Sequence, residues 1–68
     1  MPSDVRFAVV LRLVKSHGWV LVRVRGSHHV FAKPDGSSYP IPVHHGKVKH
    51  TYFRIIQKQI EQDEERAD

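Results

Sequence analysis

The chain has no cysteine among its 68 residues. Neither a disulfide framework nor a thiolate-ligated zinc can therefore brace a domain this small. Acids are scarce over most of the length. Only Asp4 and Asp35 precede residue 61, and they read as a helix start and a turn. A carboxylate cluster for magnesium has no source in that stretch. No apolar run approaches the ~18 residues of a membrane span. The first residues lack the basic-then-apolar order of a signal peptide, so a cytoplasmic protein is expected. No repeat, low-complexity segment or interdomain linker interrupts the chain. A single domain of this length buries roughly 60% of the surface its unfolded form exposes. It has no room for a large substrate pocket, and a surface site for a polymer fits better.

The charge is unevenly distributed. Residues 1–60 hold ten Lys and Arg against two acids, a net of +8. Residues 61–68 hold Glu61, Asp63, Glu64, Glu65 and Asp68 against Arg66, a net of −4. A domain over 1–60 followed by an acidic tail over 61–68 is expected. The folded body is then far more basic than the whole-chain value of +4. A polyanion is the natural partner, held by phosphate contacts and counterion release. The competing explanation is solubility alone.

The periodicity predicts five elements. Ser3 suits an N-cap and Asp4 the positive end of a helix dipole. Phe7, Val10, Leu11 and Val14 then share one helical stripe, and Gly18 suits the residue after the C-cap. Val5, Phe7, Val9, Leu11 and Leu13 also alternate as a strand would. The capping residues decide for a helix, in which Val5, Val9 and Leu13 form a second apolar strip open to a partner. Strands follow at about 19–25 and 28–33, joined by a turn at Gly26-Ser27. Pro34-Asp35-Gly36 turns the chain into a third strand, about 38–43. Pro40 and Pro42 cannot donate to a ladder, which makes that strand short or an edge. Residues 44–50 read as a basic loop. Thr51 then caps a second helix with Tyr52, Ile55, Ile56 and Ile60 on one stripe, fraying where acids oppose its dipole. The fold class expected is α+β: an α-β-β-β-α order, with a three-stranded antiparallel sheet and both helices on one face.

Chemistry concentrates around Gly26-Ser27-His28-His29. Arg23 and Arg25 are two residues apart in a strand, so they share a face. Arginines can hold a phosphate while an imidazole moves protons near neutral pH. His28 is the candidate for that role. The bland alternative is a solvated histidine at a strand start. His29 alternates to the other side with Phe31, where it would need a hydrogen-bond partner. Ser27 reads as a turn former, because no Ser-His-Asp set surrounds it. Lys47 and Lys49 precede a helix and can grip phosphates there. His44 either assists at the same site or orders its loop. An all-imidazole metal site from His28, His29, His44 and His45 is the minority reading, since no neighbouring carboxylate offers orientation. Trp19 reads as core, whereas Tyr52 and Phe53 could stack on bases.

The pattern Gly18-Trp19, Arg23-x-x-Gly26-Ser27-His28-His29-x-Phe31, Pro34-Asp35-Gly36, Pro42-x-His44 and Thr51 before an Ile-rich helix resembles the HicA (YcfA-like) toxins. These are the toxin halves of HicA–HicB toxin–antitoxin modules. The resemblance covers roughly residues 7–60. It implies a double-stranded-RNA-binding-domain-like fold and a type II toxin. It further implies an endoribonuclease that cleaves mRNA without a metal or other cofactor, through a single catalytic histidine at His28. RNA contacts would fall to Arg23, Arg25, Ser27, His44, Lys47 and Lys49. A HicB-like antitoxin would place acids against the basic face and bury His28. His50, where many relatives carry glycine, departs from the pattern. Two alternatives share the fold: an RNA-binding module without chemistry, and a structural partner of the antitoxin. The residues leave open the cleavage sequence, the general acid and the oligomeric state.

Overall fold

The computed structural model describes residues 3–66. In chain order the elements are β1 (Val5–Arg6), α1 (Phe7–Ser16), β2 (Val20–Arg25), β3 (His28–Ala32), β4 (Ser38–Pro42), β5 (Lys47–Val48) and α2 (His50–Arg66). Strands β2, β3 and β4 form an antiparallel sheet in that order, and β1 pairs with β5 in a separate two-stranded ribbon. Phe31 of β3 and Ile41 of β4 are fully buried against Val10 and Val14 of α1 and Ile56 and Ile60 of α2. Both helices therefore cover one face of the sheet, as expected. Burying a side chain such as Phe31 contributes about 1.5–3 kcal/mol.

Helix α1 starts later than its capping residues suggest. Ser3 and Asp4 lie outside it, and the N-cap is Arg6, which makes no side-chain capping bond. Val5 is instead drawn into a strand opposite the fully buried Val48. The Phe7 N–H, an orphan of the first turn, donates to the Gly46 carbonyl at 2.8 Å. Tertiary pairing thus replaces a local cap. The other end closes as the sequence indicates. His17 is the C-cap, and Gly18 follows at φ +84°. The Gly18 N–H reaches the Lys15 carbonyl at 3.0 Å and the Trp19 N–H reaches that of Val14 at 3.0 Å, which is the Schellman pair. Phe7, Val10, Leu11 and Val14 all join or pack on the core. The second apolar strip divides: Val5 and Leu13 pack on the core, and only Val9 is exposed.

Three further expectations need correction. The loop at 44–50 is largely ordered as a hairpin. His44 and Lys47 exchange two backbone bonds of 2.9 Å across His45-Gly46. Both central residues have positive φ, +52° and +75°, as a type I′ turn requires. Thr51 lies inside the first turn of α2, which begins at His50. Tyr52 and Ile55 are exposed, and Phe53 rather than either packs with Ile56 and Ile60.

Helix α2 does not fray in its acidic segment but stays helical to Arg66. Two of its acids find partners at the far end of the domain. Asp63 pairs with Lys33 Nζ at 2.9 Å, and Glu64 with His17 Nδ1 at 2.8 Å. The Lys33 side chain is only 8% exposed and lies 5.8 Å from the Trp19 ring centre. Trp19 is itself buried between Phe31 and Tyr39.

The hydrogen bond from Lys33 holds the Asp63 carboxyl below its ordinary pKa, with a smaller contribution from Gln59. Hydrogen bonds from Ser37 do the same for Asp35 in the Pro34-Asp35-Gly36 turn. A depressed carboxylate stabilises the fold above the unfolded pKa and stops doing so as pH falls through the folded one. Stability measured by urea unfolding should therefore be level near neutrality and fall below about pH 4. Asp63→Asn should lower stability at pH 7 and make the acid loss shallower. An unchanged acid limb in that variant would show that the Lys33 pair does not contribute to it.

Candidate nucleic-acid interface

Register decides which side chains meet. Residues directly opposed in an antiparallel pair share a face. Leu21 opposes Phe31, and Arg23 opposes Val30, so two steps along β2 match one along β3. Val22 is the extra residue of a β-bulge. Leu21 consequently lies on the helix side with Phe31, whereas Arg23 and Arg25 lie on the open side. Arg25 stands directly opposite His28. On its other flank His28 opposes Pro42 of β4. The open face at this end thus presents Arg23, Arg25 and His28 together, all exposed. No acid occurs in β2, β3 or β4.

The turn that delivers His28 is short. Gly26 has φ +58° and Ser27 has no positive φ, the pattern of a type II′ turn with glycine at its first central position. The Ser27 carbonyl accepts the Val43 N–H at 2.7 Å. Ser27, half-buried, thereby anchors the end of β4 through its backbone. That bond carries the basic ribbon alongside the sheet: His44 follows Val43, His44 bridges to Lys47, and Lys47 lies opposite Arg6. His44, Lys47 and Lys49 are all exposed. Among the described residues, none of Arg6, Arg23, Arg25, Lys47 or Lys49 pairs with a carboxylate. Like charges opposed across a ladder destabilise it, so the Arg6–Lys47 pair gains from an anion. The capping residues place Arg6 inside a helix, which hides its pairing with Lys47. The β-type alternation through Val5 and Phe7 was its only signal.

The remaining histidines separate. His29 lies on the helix face, across from Val24 and Ile41. Its ring packs against Phe7 at a tilt of 50°, with centroids 4.5 Å apart. It therefore cannot share an ion with His28 on the opposite face. Among the described residues no three His, Cys, Asp or Glu side chains converge to hold a metal. A cleft of about 520 Å³ does exist, lined by His17, Trp19, Lys33 and Asp63 among others. It lies beyond the Ala32 end of β3, whereas His28 is at the start of that strand. The surface around His28 is that of a strand end and a turn, suited to an extended polymer.

A family model described as HicA toxin of bacterial toxin–antitoxin matches residues 8–62. No curated protein and no solved structure matches the chain.

Among the described residues, the buried His29 Nδ1 finds no hydrogen-bond partner. Leaving such an atom unsatisfied costs about 1–3 kcal/mol. His29→Leu, close in volume, should raise stability by about 1 kcal/mol, or about 4–8 °C in thermal midpoint for a domain of this size. A lower midpoint would mean that the imidazole is worth more to the fold than the apolar contact that replaces it.

Proposed function

The chain belongs to the HicA toxin family of bacterial toxin–antitoxin modules, and on that footing we propose that it is an endoribonuclease that cleaves mRNA through His28. The observation that carries this reading is the cross-strand pairing of His28 with Arg25, with Arg23 on the same acid-free face. A passive binder has no use for a titrating group at the centre of a phosphate-holding surface.

The chemistry follows from the groups present. Arg23 and Arg25 hold a phosphodiester against the open face, and Lys47 with Lys49 extends the grip along the ribbon. The neutral imidazole of His28 takes the proton of the ribose 2′-hydroxyl. The 2′-oxygen then bonds to the adjacent phosphorus as the bond from phosphorus to the 5′-oxygen breaks. The guanidinium groups stabilise the charge on the phosphoryl oxygens. The leaving 5′-oxygen takes a proton from His44 or from water. The products are a 2′,3′-cyclic phosphate and a 5′-hydroxyl. DNA lacks the nucleophile and is not cut. The nucleophile comes from the substrate, so no step calls for a metal-bound water. This activity places the protein in the cytoplasm with mRNA and under the control of a HicB-like antitoxin.

His28→Ala should lower cleavage by about 100-fold or more, the range of general acid–base catalysis, while RNA binding and the thermal midpoint stay near wild type. Wild-type cutting by that variant would remove His28 from the mechanism. Binding of RNA without cleavage by the wild-type chain would favour the non-catalytic module instead. Cleavage should also persist in EDTA at moderate salt, with cyclic-phosphate ends on the products. Loss of cutting in chelator, restored by zinc, would assign the chemistry to a metal site.

A further inference from the structure

The two edges of the main sheet are unlike. Strand β4 carries Pro40 and Pro42, which have no N–H to offer an incoming strand. Strand β2 carries neither proline nor glycine, and all six of its residues are exposed. Val20, Val22 and Val24 are 58%, 49% and 53% exposed, and Leu21 is 38% exposed. Alternate residues of an antiparallel edge strand turn their N–H and C=O groups away from the sheet. A bare, valine-rich edge of this kind is a template for strand addition. Bulges can blunt such edges. Here the bulge at Val22 leaves Arg23, Val24 and Arg25 in regular register with β3.

We propose that the outer edge of β2 receives an extended strand of the antitoxin, one in which acidic and apolar residues alternate. The proposal rests on the toxin reading and specifies how that toxin is restrained. Charge selects the occupant. On the open face the added strand meets Arg23 and Arg25, and on the helix face it meets Val24. Acids opposite the arginines and an apolar residue opposite Val24 satisfy both faces of one strand. A second copy of this chain does not fit, because pairing β2 with β2 brings the arginines of both copies onto one surface. The chain's own acids do not fit either. Those of residues 61–66 lie in α2, where Asp63 and Glu64 are committed to Lys33 and His17. An acidic strand on β2 lies one strand away from His28. It neutralises the phosphate-holding cations and closes the face to RNA without touching the imidazole.

Amide hydrogen exchange on the full chain, alone and in complex with its co-expressed antitoxin, tests the proposal. The β2 amides that face outward should slow by at least about tenfold in the complex, and the amides of β4 should not change. The double variant Arg23→Glu/Arg25→Glu should weaken the complex by about 100-fold or more and abolish the slowing of association by salt. Val24→Pro should lose the antitoxin while still cutting RNA. Where Val24→Pro fails to fold by circular dichroism, exchange in the wild-type complex decides. A complex in which β2 exchanges as fast as in the free chain overturns the proposal. So does failure to form a complex, or concentration-dependent β2 protection in the free chain, which would make the occupant a second copy. RNA cleavage by the free wild-type chain is scored separately. A chain that protects β2 but cuts no RNA would overturn the endoribonuclease reading and leave the docking site standing.

Discussion

One residue of phase separates the two functions of β2. Leu21 must face the helices, because it lies opposite Phe31 beneath them. In a regular strand Arg23 and Arg25 would then face the same way, on the side away from His28. The extra residue at Val22 shifts the alternation by one, so Arg23 and Arg25 emerge on the open face beside His28. The bulge is therefore the constraint on which the basic surface depends. It turns Val24 to the helix face beside His29, so β2 carries its arginines on one face and an apolar residue on the other along an unpaired edge.

The domain sorts its charges to opposite ends. The acids of α2 meet Lys33 and His17 at the end where Trp19 is buried. Among the described residues, this leaves the cations of β2, β5 and Arg6 without a carboxylate partner at the other end. In a chain with so few acids before residue 61, that arrangement concentrates positive potential on one surface, where it steers a polyanion. The same surface attracts an acidic protein for the same reason. Under the proposed function, RNA and the antitoxin compete for one set of charges.

Much of the site was legible because it is local. The Gly26-Ser27 turn, the strand that follows and the Schellman end of α1 depend on residues adjacent in the chain, whose φ preferences are intrinsic. The opposition of Arg25 and His28 follows from a two-residue turn. Misplaced features all depend on distant partners. Ser3 loses the first helix start because Val5 finds Val48. Thr51 loses the second because the chain entering α2 is already held in the β5 ribbon. Tyr52 and Ile55 face outward and Phe53 inward because a helical stripe defines a direction only to within a residue or so.

The sequence alone determined that this is a small basic α+β domain without cysteine, that Arg23, Arg25 and His28 belong to one hairpin, and that the strand with Pro40 and Pro42 is short or an edge. Each follows from composition, from a turn, or from a residue that lacks an N–H. Only the tertiary structure decided that Val22 is a bulge, that Arg6 stands against Lys47, that His29 lies under Phe7 with a bare nitrogen, and that the acidic end of α2 is tied to Lys33 and His17. Those features depend on register and on which helix covers which face. Register is chosen by the whole core at once, through burial of Phe31, Ile41, Val48 and Ile56, and no local window of the chain contains that choice.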